Sequence, residues 1–391
     1  MEPHGQVAIA TGTRPRIALA HDWLVGMRGG ERVLDAIARL CADRFEIAGL
    51  FTMFDDGRPH TPAIDRLPKF VSHLSRIPGA NRFRRWLLPR YPSAVENLSR
   101  QLAAEHARRP IDLAISTSSA AIKGLQPPAG VAHICYCHTP ARYLWSQTQQ
   151  YTTGGLAARL RALGFHMYGD RLREWDRRTA ANVTTFLANS IHTGREIARV
   201  YGRTAEVVHP PVRTDFFVPE SPPRREPHWL CVGALEPYKR TDLAIAGAAL
   251  ELDSLMVVGN GSELARLHRL AGSRVTIDSH ASDVLLRTRY QRARVLVFPQ
   301  TEDFGIVAVE AQACGTPVVA FRAGGALDTV LDGFTGTFFD EPTPAALAQA
   351  VKRCIALGDI SAACRAHSEQ FSEAKFDRAM LDVIERVLAG S

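Results

Sequence analysis

Two glutamates, Glu302 and Glu310, form the pattern in the sequence with the clearest chemical meaning. Glu302 lies in the segment QTEDFG after a predicted strand, and Glu310 lies about one turn inside a helix predicted to begin near Ile306. Carboxylates are bidentate acceptors for vicinal hydroxyl groups, and the free N–H groups at a helix start suit a phosphate. The spacing therefore predicts that both carboxylates face one ligand that carries hydroxyl and phosphate groups.

A glycine-rich loop in the segment HDWLVGMRGGERVLD offers a second place for a phosphate. Glycine lets the backbone approach a ligand closely, so Gly29 and Gly30 could present N–H groups at the start of the following helix. Their spacing matches neither the dinucleotide-binding fingerprint nor the P-loop, so an ordinary strand-to-helix turn remains an open alternative.

His138 lies in the segment CYCHTPARYLW, just beyond the carboxyl end of a predicted buried strand. Open α/β sheets bind their ligands at that edge. A histidine there could orient a substrate hydroxyl group or hold a leaving group, although a hydrogen-bonded structural role remains open.

The elements that position these residues are short apolar segments, each followed by a stretch with helical periodicity. Most are continuous apolar runs, typical of parallel strands covered by helices on both faces. The sequence therefore predicts an α/β fold with two doubly wound, Rossmann-like domains. The predicted strands are 16–24, 45–51, 112–116, 132–137, 184–188, 229–233, 254–258, 275–278, 295–298 and 317–321, and a terminal helix is predicted over 374–388.

Residues 209–227 are the predicted linker between the two domains. This segment has six prolines in nineteen residues, and proline fixes φ and removes a backbone donor, so the segment is a poor helix or interior strand. We expect one domain over 1–208, joined by a returning C-terminal helix over 372–391. A second domain is expected over 228–371, with the two domains facing across a cleft.

The composition excludes several classes of protein. The chain has 391 residues, of which 46% are hydrophobic and 22% charged, as in a globular protein of two domains. It has no run near the roughly 18 apolar residues of a membrane-spanning helix, and its start lacks the features of a signal peptide, so we expect a cytoplasmic protein. Its seven cysteines include no Cys-x-x-Cys pair and no zinc spacing, which predicts reduced core thiols.

The basic residues are concentrated in one segment of the first half. Between Arg66 and Arg109 there are ten basic and two acidic residues, whereas the whole chain has a net charge of +7. The segment NRFRRWLLPRY mixes basic and apolar side chains in a way that suits a membrane interface. Nucleic-acid binding is the alternative, but no recognised nucleic-acid motif is present. The expected membrane or acceptor contacts are Arg82, Arg84, Arg85 and Trp86.

Together these motifs resemble those of the family-4 retaining glycosyltransferases of the GT-B fold. The hallmark of that family is two glutamates separated by seven residues, here Glu302 and Glu310 with DFGIVAV between them. The resemblance covers almost the whole chain, including LANS, VVHPPVRTDFF, VGALEPYKRTDLAI and VVGNGSEL. HDWL, CYCHTPARYLW and EPYKRTDLAI look most like segments of the mannosyltransferases that build lipid-linked cell-surface polysaccharides.

The resemblance implies that 1–208 is the acceptor domain and 228–371 the nucleotide-sugar domain, and it implies a role for each matching residue. Gly29 and Gly30 would approach the donor diphosphate, and His138 would contact the donor sugar at the reacting centre. Glu302 would accept hydrogen bonds from the sugar hydroxyl groups, while Glu310 would hold the nucleotide ribose. The backbone groups expected to assist belong to Phe304, Gly305 and Ile306.

The cations expected at the diphosphate are Lys239 and Arg240. Many members of the family have an arginine directly after the glycine that ends the first strand of the second domain, but this chain has Ala234 there. Neutralisation of the diphosphate would then fall mainly on Lys239.

The function that the resemblance implies is retaining transfer of mannose from GDP-mannose to a lipid-linked saccharide at the inner face of the cell membrane. The expected partners are this nucleotide sugar, the acceptor and an anionic membrane surface, but no nucleic acid. Because no Asp-x-Asp pair is suitably placed, no metal or other cofactor is expected. The alternatives are a GT-B glycosyltransferase that uses a UDP- or dTDP-linked sugar, a sugar-nucleotide epimerase or a phosphorylase.

Overall fold

The computed structural model describes residues 14–146, 156–222 and 224–390, apart from the side chains of Arg85 and residues 156–166. The strands in these residues are β1 (Arg16–Leu24), β2 (Glu46–Asp55), β3 (Lys69–Val71), β4 (Leu113–Ser118), β5 (Ala132–Cys137), β6 (Thr185–Ala188), β7 (Ala205–Val207), β8 (His228–Val232), β9 (Ser254–Val258), β10 (Val275–Asp278), β11 (Val295–Phe298), β12 (Val318–Phe321) and β13 (Gly336–Phe339). The α-helices are α1 (Gly29–Arg44), α2 (Pro62–Asp65), α3 (Ala80–Phe83), α4 (Tyr91–Arg108), α5 (Arg142–Trp145), α6 (Leu156–Thr179), α7 (Ile191–Tyr201), α8 (Thr241–Leu250), α9 (Leu264–Leu270), α10 (Asp283–Arg292), α11 (Ile306–Ala313), α12 (Ala326–Thr329), α13 (Pro344–Ala356), α14 (Ser361–Ser368) and α15 (Glu373–Ala389).

The described strands form two parallel sheets, each with one point at which the strand order reverses. The first sheet has the order β3-β2-β1-β4-β5-β6-β7, and β1 pairs in parallel with both β2 and β4. The second has the order β10-β9-β8-β11-β12-β13, and β8 pairs in parallel with both β9 and β11. The predicted α/β class with two Rossmann-like sheets is confirmed, and the switch points lie between β1 and β4 and between β8 and β11.

Alternate residues of the inner strands pack into cores on opposite faces of the sheet. In β8, Trp229 and Cys231 belong to one buried cluster, whereas Leu230 and Val232 belong to another. Both faces are apolar because helices cover both, which is why the strand reads as one continuous apolar run.

The predicted strands all occur in the structure, but β3, β7 and β13 were not predicted. Each lies at an end of its sheet in the strand order and has only three or four residues. An end strand pairs on one side only, and β3 and β7 are only partly buried or exposed, so they lack the apolar run that marks an inner strand. The predicted terminal helix over 374–388 is confirmed as α15.

The described chain divides by its internal contacts into two units. The first extends to Phe186 and includes the chain from Leu381 onward, and the second is Leu187–Met380. The boundaries predicted from the proline-rich segment 209–227 remain a prediction. All seven cysteines are buried thiols, as expected.

None of the helices in the described part of the chain is long and apolar enough to span a bilayer.

Candidate functional site

A charged pair lies at the topological switch point of the second unit. Here β8 and β11 are neighbours, so the loops that follow their carboxyl ends begin side by side. Lys239 follows β8 on the short 3₁₀-helix Pro237–Lys239, and Glu302 follows β11. Open α/β sheets bind ligands in the crevice at such a point.

Lys239 and Glu302, both predicted site residues, form an ion pair through Nζ and Oε1, with side chains 14% and 17% exposed. Gln300 donates from Nε2 to the same Oε1 at 3.1 Å, and Gln300 is buried. An ammonium group and an amide therefore hold the carboxylate in one orientation. Sequence reasoning missed Gln300, although a polar residue just beyond a buried strand was an available signal.

Arg240, the second predicted cation, has a different partner. It has a φ of 52°, in the left-handed region, and it separates the 3₁₀-helix from α8. Its Nε lies 3.5 Å from Oδ1 of Asp242, and its side chain is 39% exposed. Ala234 is exposed in the loop after β8 and adds no charge. Lys239, beside Glu302, stays the main cation predicted for a diphosphate, and Arg240 stays the second predicted cation.

Gly305 shapes the turn that leads into α11. Its φ is 94°, and a Cβ atom there would lie only 2.8 Å from Cζ of Phe298, so conformation and space both favour glycine. Phe304 is buried in an apolar cluster. Because α11 begins at Ile306, its first N–H groups lack acceptors within the helix and suit an anion.

The loop that follows β12 packs against the loop that carries Glu302. Gly325 donates its backbone N–H to the carbonyl oxygen of Glu302 at 2.8 Å. A Cβ atom on Gly325 would lie 2.3 Å from Cα of Phe304, so this contact requires glycine. The two loops are thus fixed to each other by their backbones.

Glu310 lies on α11 and is buried. The hydroxyl group of Tyr290, which is fully buried, donates to Oε2 of Glu310 at 3.0 Å. This hydrogen bond holds the carboxylate that is expected to bind the ribose. Tyr290 was not predicted, because its position on α10 carries no sign of a partner 20 residues away.

In the first unit, the structure brings Gly30 and His138 together. Gly29 and Gly30 open α1, and His138 follows β5 and donates its backbone N–H to the carbonyl oxygen of Ser118 at 2.8 Å. A Cβ atom on Gly30 would lie 3.5 Å from Nε2 of His138. Burial lowers the pKa of His138 to about 3, so the ring is a neutral donor and acceptor at pH 7.

The side chain of Asp22 lies at the switch point of the first unit, between β1 and β4. Its carboxylate accepts the backbone N–H groups of the four residues 119–122, at 2.6 to 2.9 Å. Burial raises the pKa of Asp22, but the four N–H donors oppose this rise. A carboxyl group surrounded by donors binds them best in its ionised form, so we regard Asp22 as a carboxylate. Asp22 was not predicted.

The segment NRFRRWLLPRY, residues 81–91, is called the basic segment from here on, and it lies mainly in α3 and the following 3₁₀-helix, Arg84–Arg90. Phe83 and Trp86 are 53% and 46% exposed, while Leu87 and Leu88 pack against the core. The guanidinium carbon of Arg82 lies 5.9 Å from the ring centroid of Phe83. The guanidinium group of Arg84 donates to the carbonyl oxygen of Asn81 and lies over Trp23, so it is held by the protein. The side chain of Arg85 lies outside the described residues.

An open cavity of about 420 Å³ lies at the carboxyl ends of β2 and β3. Its charged lining residues are Asp55, Lys69 and Arg76. Nζ of Lys69 lies 3.5 Å from Oδ2 of Asp55 and 3.6 Å from Oδ1 of Asp65. Both distances exceed those of a good N–H···O hydrogen bond, so the ammonium group can still donate to a ligand.

Over 14–146, 156–222 and 224–390, no group of three or more His, Cys, Asp or Glu side chains is arranged to hold a metal ion.

Comparisons with known proteins agree with this architecture. Residues 27–216 match the family model described as Glycosyltransferase Family 4, and residues 212–371 match the one described as Glycosyl transferases group 1. The two matches together span nearly the whole chain. The first half of the chain thus resembles one glycosyltransferase family and the second half resembles another, and the two parallel sheets have the GT-B fold.

Two curated relatives and one solved structure illustrate the similarity. A D-inositol 3-phosphate glycosyltransferase of Streptomyces bingchenggensis is 33% identical over 52% of this chain and 53% of its own length. A GDP-mannose-dependent alpha-(1-6)-phosphatidylinositol monomannoside mannosyltransferase of Mycolicibacterium smegmatis is 35% identical over 44% of this chain and 52% of its own length. Sucrose-phosphate synthase of Thermosynechococcus elongatus has a TM-score of 0.75 at 21% identity, over 97% of this chain and 100% of that chain. The matched region spans about half the length of these curated relatives.

Proposed function

We propose that this protein is a retaining glycosyltransferase that transfers mannose from GDP-mannose to a lipid-linked saccharide at the cytoplasmic face of the membrane. The observation that carries the proposal is the pair of Lys239 and Glu302 at the switch point of the second unit. In this proposal the ammonium group of Lys239 binds the diphosphate, and the neighbouring carboxylate of Glu302 binds the sugar hydroxyl groups. The printed name of the Mycolicibacterium smegmatis relative supports GDP-mannose as the donor.

Donor binding follows from the groups around this pair. Lys239 and the first N–H groups of α11 would stabilise the diphosphate by charge and by the helix dipole. The diphosphate would take over the ammonium group of Lys239, and Glu302, still held by Gln300, would accept from the sugar hydroxyl groups. Glu310, fixed by Tyr290, would accept from the ribose hydroxyl groups.

The transfer step needs no nucleophile from the protein. The acceptor hydroxyl oxygen forms a bond to the anomeric carbon on the face from which the diphosphate departs, so the configuration is retained. The bond from that carbon to the diphosphate oxygen breaks, and the hydroxyl proton passes to the departing diphosphate. His138, a neutral imidazole at pH 7, would orient the sugar at this centre.

Calorimetry with a panel of nucleotides should show tight binding of GDP and weak binding of UDP and dTDP. The reason is the likeness of the EPYKRTDLAI and CYCHTPARYLW segments to mannosyltransferases. A reversed ranking would contradict the mannose assignment and leave the glycosyltransferase proposal intact. Failure of every nucleotide and nucleotide sugar to bind would contradict both.

Activity should persist in excess EDTA. Lys239 and the N–H groups at the start of α11 supply the positive charge that a divalent ion supplies elsewhere. The measurement is nucleotide release from the donor with and without chelator. Complete loss that magnesium or manganese restores would show that this charge is insufficient.

The saccharide acceptor would bind to the first unit. The cavity beside Asp55 and Lys69 combines groups that donate to and accept from saccharide hydroxyl groups. Asn81, the residue before Arg82, donates to the carbonyl oxygen of Asp55 at 3.0 Å, so this cavity adjoins the basic segment. A saccharide in the cavity could therefore remain attached to a lipid in the bilayer.

The protein should bind vesicles that contain anionic lipid, and salt should weaken the binding. Each basic residue near an anionic leaflet contributes about 1 kcal/mol, and the exposed Phe83 and Trp86 add apolar contact. Changing Arg82, Arg84 and Arg85 together to Ser should weaken vesicle flotation.

The matched control removes equal charge elsewhere on the same unit, by changing the exposed Arg44, Arg100 and Arg108 to Ser. The control variant should float like the unmodified protein. Equal flotation on neutral and anionic vesicles, or equal losses in the two variants, would eliminate this segment as the membrane contact.

A further inference from the structure

His209 lies beside the loop that carries Glu302, and the proposed function gives it no role. It opens the segment HPPVRTDFF and belongs to the second unit. The loop of residues 302–305 directly precedes α11 and is called the donor loop from here on. The contacts of His209 with Phe304, Asp328 and Phe371 all lie within the second unit.

The imidazole ring of His209 packs against two phenylalanine rings. Its centroid lies 5.5 Å from that of Phe304 and 5.1 Å from that of Phe371. The two phenylalanine rings are themselves 5.5 Å apart, so the three rings are in mutual contact. Phe304 and Phe371 belong to a buried apolar cluster that also contains Val309 of α11. His209 therefore packs on the cluster that underlies the donor loop and α11.

The same imidazole ring also forms a polar contact with α12. Nε2 of His209 lies 3.2 Å from Oδ2 of Asp328, whose side chain is only 4% exposed. A carboxylate only accepts hydrogen bonds, so we assign a proton to Nε2. Burying a carboxylate costs free energy unless donors surround it. An apolar residue at position 209 could fill the space but would deprive Asp328 of this donor.

These contacts join the donor loop to α12 at two points. At Glu302 the connection is direct, because Gly325, the residue before α12, donates its backbone N–H to the carbonyl oxygen of Glu302. At Phe304 the connection runs through His209, which contacts Phe304 with its ring and Asp328 with Nε2. A loop that is fixed at both points loses less conformational freedom when a ligand binds to it.

We propose that His209 is a positioning residue that fixes the donor loop against α12. The carboxylate of Glu302 and the first N–H groups of α11 are thereby held in place before the donor binds. This inference rests on the proposed function, because the donor is the ligand that these groups would bind. His209 itself would not contact the donor.

His209→Ala removes both the ring and the hydrogen bond to Asp328. This variant should raise the Kd for GDP-mannose, measured by calorimetry, at least about tenfold. In the protein without ligand, hydrogen exchange of the backbone N–H groups of residues 304–309 should become at least about tenfold faster, because exchange follows local opening. A wild-type Kd would overturn the inference, and so would unchanged exchange in residues 304–309.

Two partial replacements separate the contribution of the ring from that of the hydrogen bond. His209→Phe keeps the ring contacts and loses Nε2, whereas His209→Gln keeps an N–H donor near the position of Nε2 and loses the ring. Both variants should have Kd values for GDP-mannose between those of the unmodified protein and His209→Ala. Should His209→Ala fail to fold, these two variants decide the question, because a wild-type Kd in both would overturn the inference.

The matched control is His228→Ala, which removes another histidine that faces a carboxylate in the same unit. Nδ1 of His228 lies 3.6 Å from Oε2 of Glu226, and His228 opens β8 at the amino end of that strand, away from the edge that carries Glu302. The control variant should have the Kd and the exchange rates of the unmodified protein. Changes as large as those in His209→Ala would overturn the inference, because the effect would then not be specific to the donor loop.

The outcomes distinguish this inference from the proposed function. If the unmodified protein binds no nucleotide sugar, the proposed function fails and the inference fails with it. If the unmodified protein binds GDP-mannose and His209→Ala binds it equally well, only the inference fails.

Discussion

Glu302→Ala should lower the turnover number at least about a hundredfold, which corresponds to about 2.7 kcal/mol of transition-state stabilisation. The carboxylate of Glu302 is held by Lys239 and Gln300 and is expected to bind hydroxyl groups of the sugar as charge develops on it. His138→Ala should have an effect of the same size, because its neutral ring is expected at the reacting centre. The measurement is initial rate at saturating donor.

Glu310→Ala is the matched control for Glu302→Ala, since both remove a glutamate carboxylate from the same unit. Glu310 is expected at the ribose, away from the developing charge, so its loss should raise the Kd for the nucleotide. The turnover number at saturating donor should change much less than in Glu302→Ala. Near-normal turnover of Glu302→Ala with saturating donor would refute the assigned site. Circular dichroism of each variant verifies that the fold is retained.

Lys123→Met should lower the unfolding free energy of the first unit by about 3 to 5 kcal/mol. Nζ of Lys123 lies 3.0 Å from Oδ1 of Asp176, and both side chains are almost completely buried. Removing the ammonium group leaves the carboxylate without its counter-charge in the core. The double change Lys123→Met and Asp176→Leu should recover part of this loss, because no unpaired charge then remains at this position.

Urea unfolding followed by tryptophan fluorescence measures this effect. Trp145 donates from Nε1 to Oδ2 of Asp176 at 2.7 Å, so its emission reports on this part of the structure. Arg39→Met, which breaks the more exposed pair with Asp35 in the same unit, is the control and should cost no more than about 1 kcal/mol. A loss for Lys123→Met as small as that of the control would show that the buried pair contributes little.

The sequence predicted those features that depend on short segments of chain. The strands β1, β5, β9, β10 and β11 were predicted at their observed bounds because each is a local apolar run. Glu302 and His138 were identified because each follows such a strand, at the edge where ligands bind. The bounds of these strands, and the residues that follow them at the edge of the sheet, can therefore be predicted from the local sequence pattern.

The missed features depend on contacts between distant segments. Asp22 binds backbone groups about 100 residues away, and Lys123 pairs with a residue 53 positions later. Neither contact has a spacing that a single sequence could reveal. Tyr290 is a similar case, since only the packing of α10 against α11 brings it to Glu310.

The carboxylate of Asp22 distinguishes the first unit from a dinucleotide-binding domain. In a dinucleotide-binding domain, the crevice at the switch point receives a phosphate of the ligand. In the first unit that position is already occupied by an anion of the protein itself, with its N–H donors consumed. A phosphate placed against residues 119–122 would meet repulsion from Asp22, whereas Gly29 and Gly30, the expected diphosphate contacts, lie at the start of α1. In the second unit the loops after β8 and β11 carry Lys239 and Glu302 instead, so the two units differ in the charged groups at their switch points.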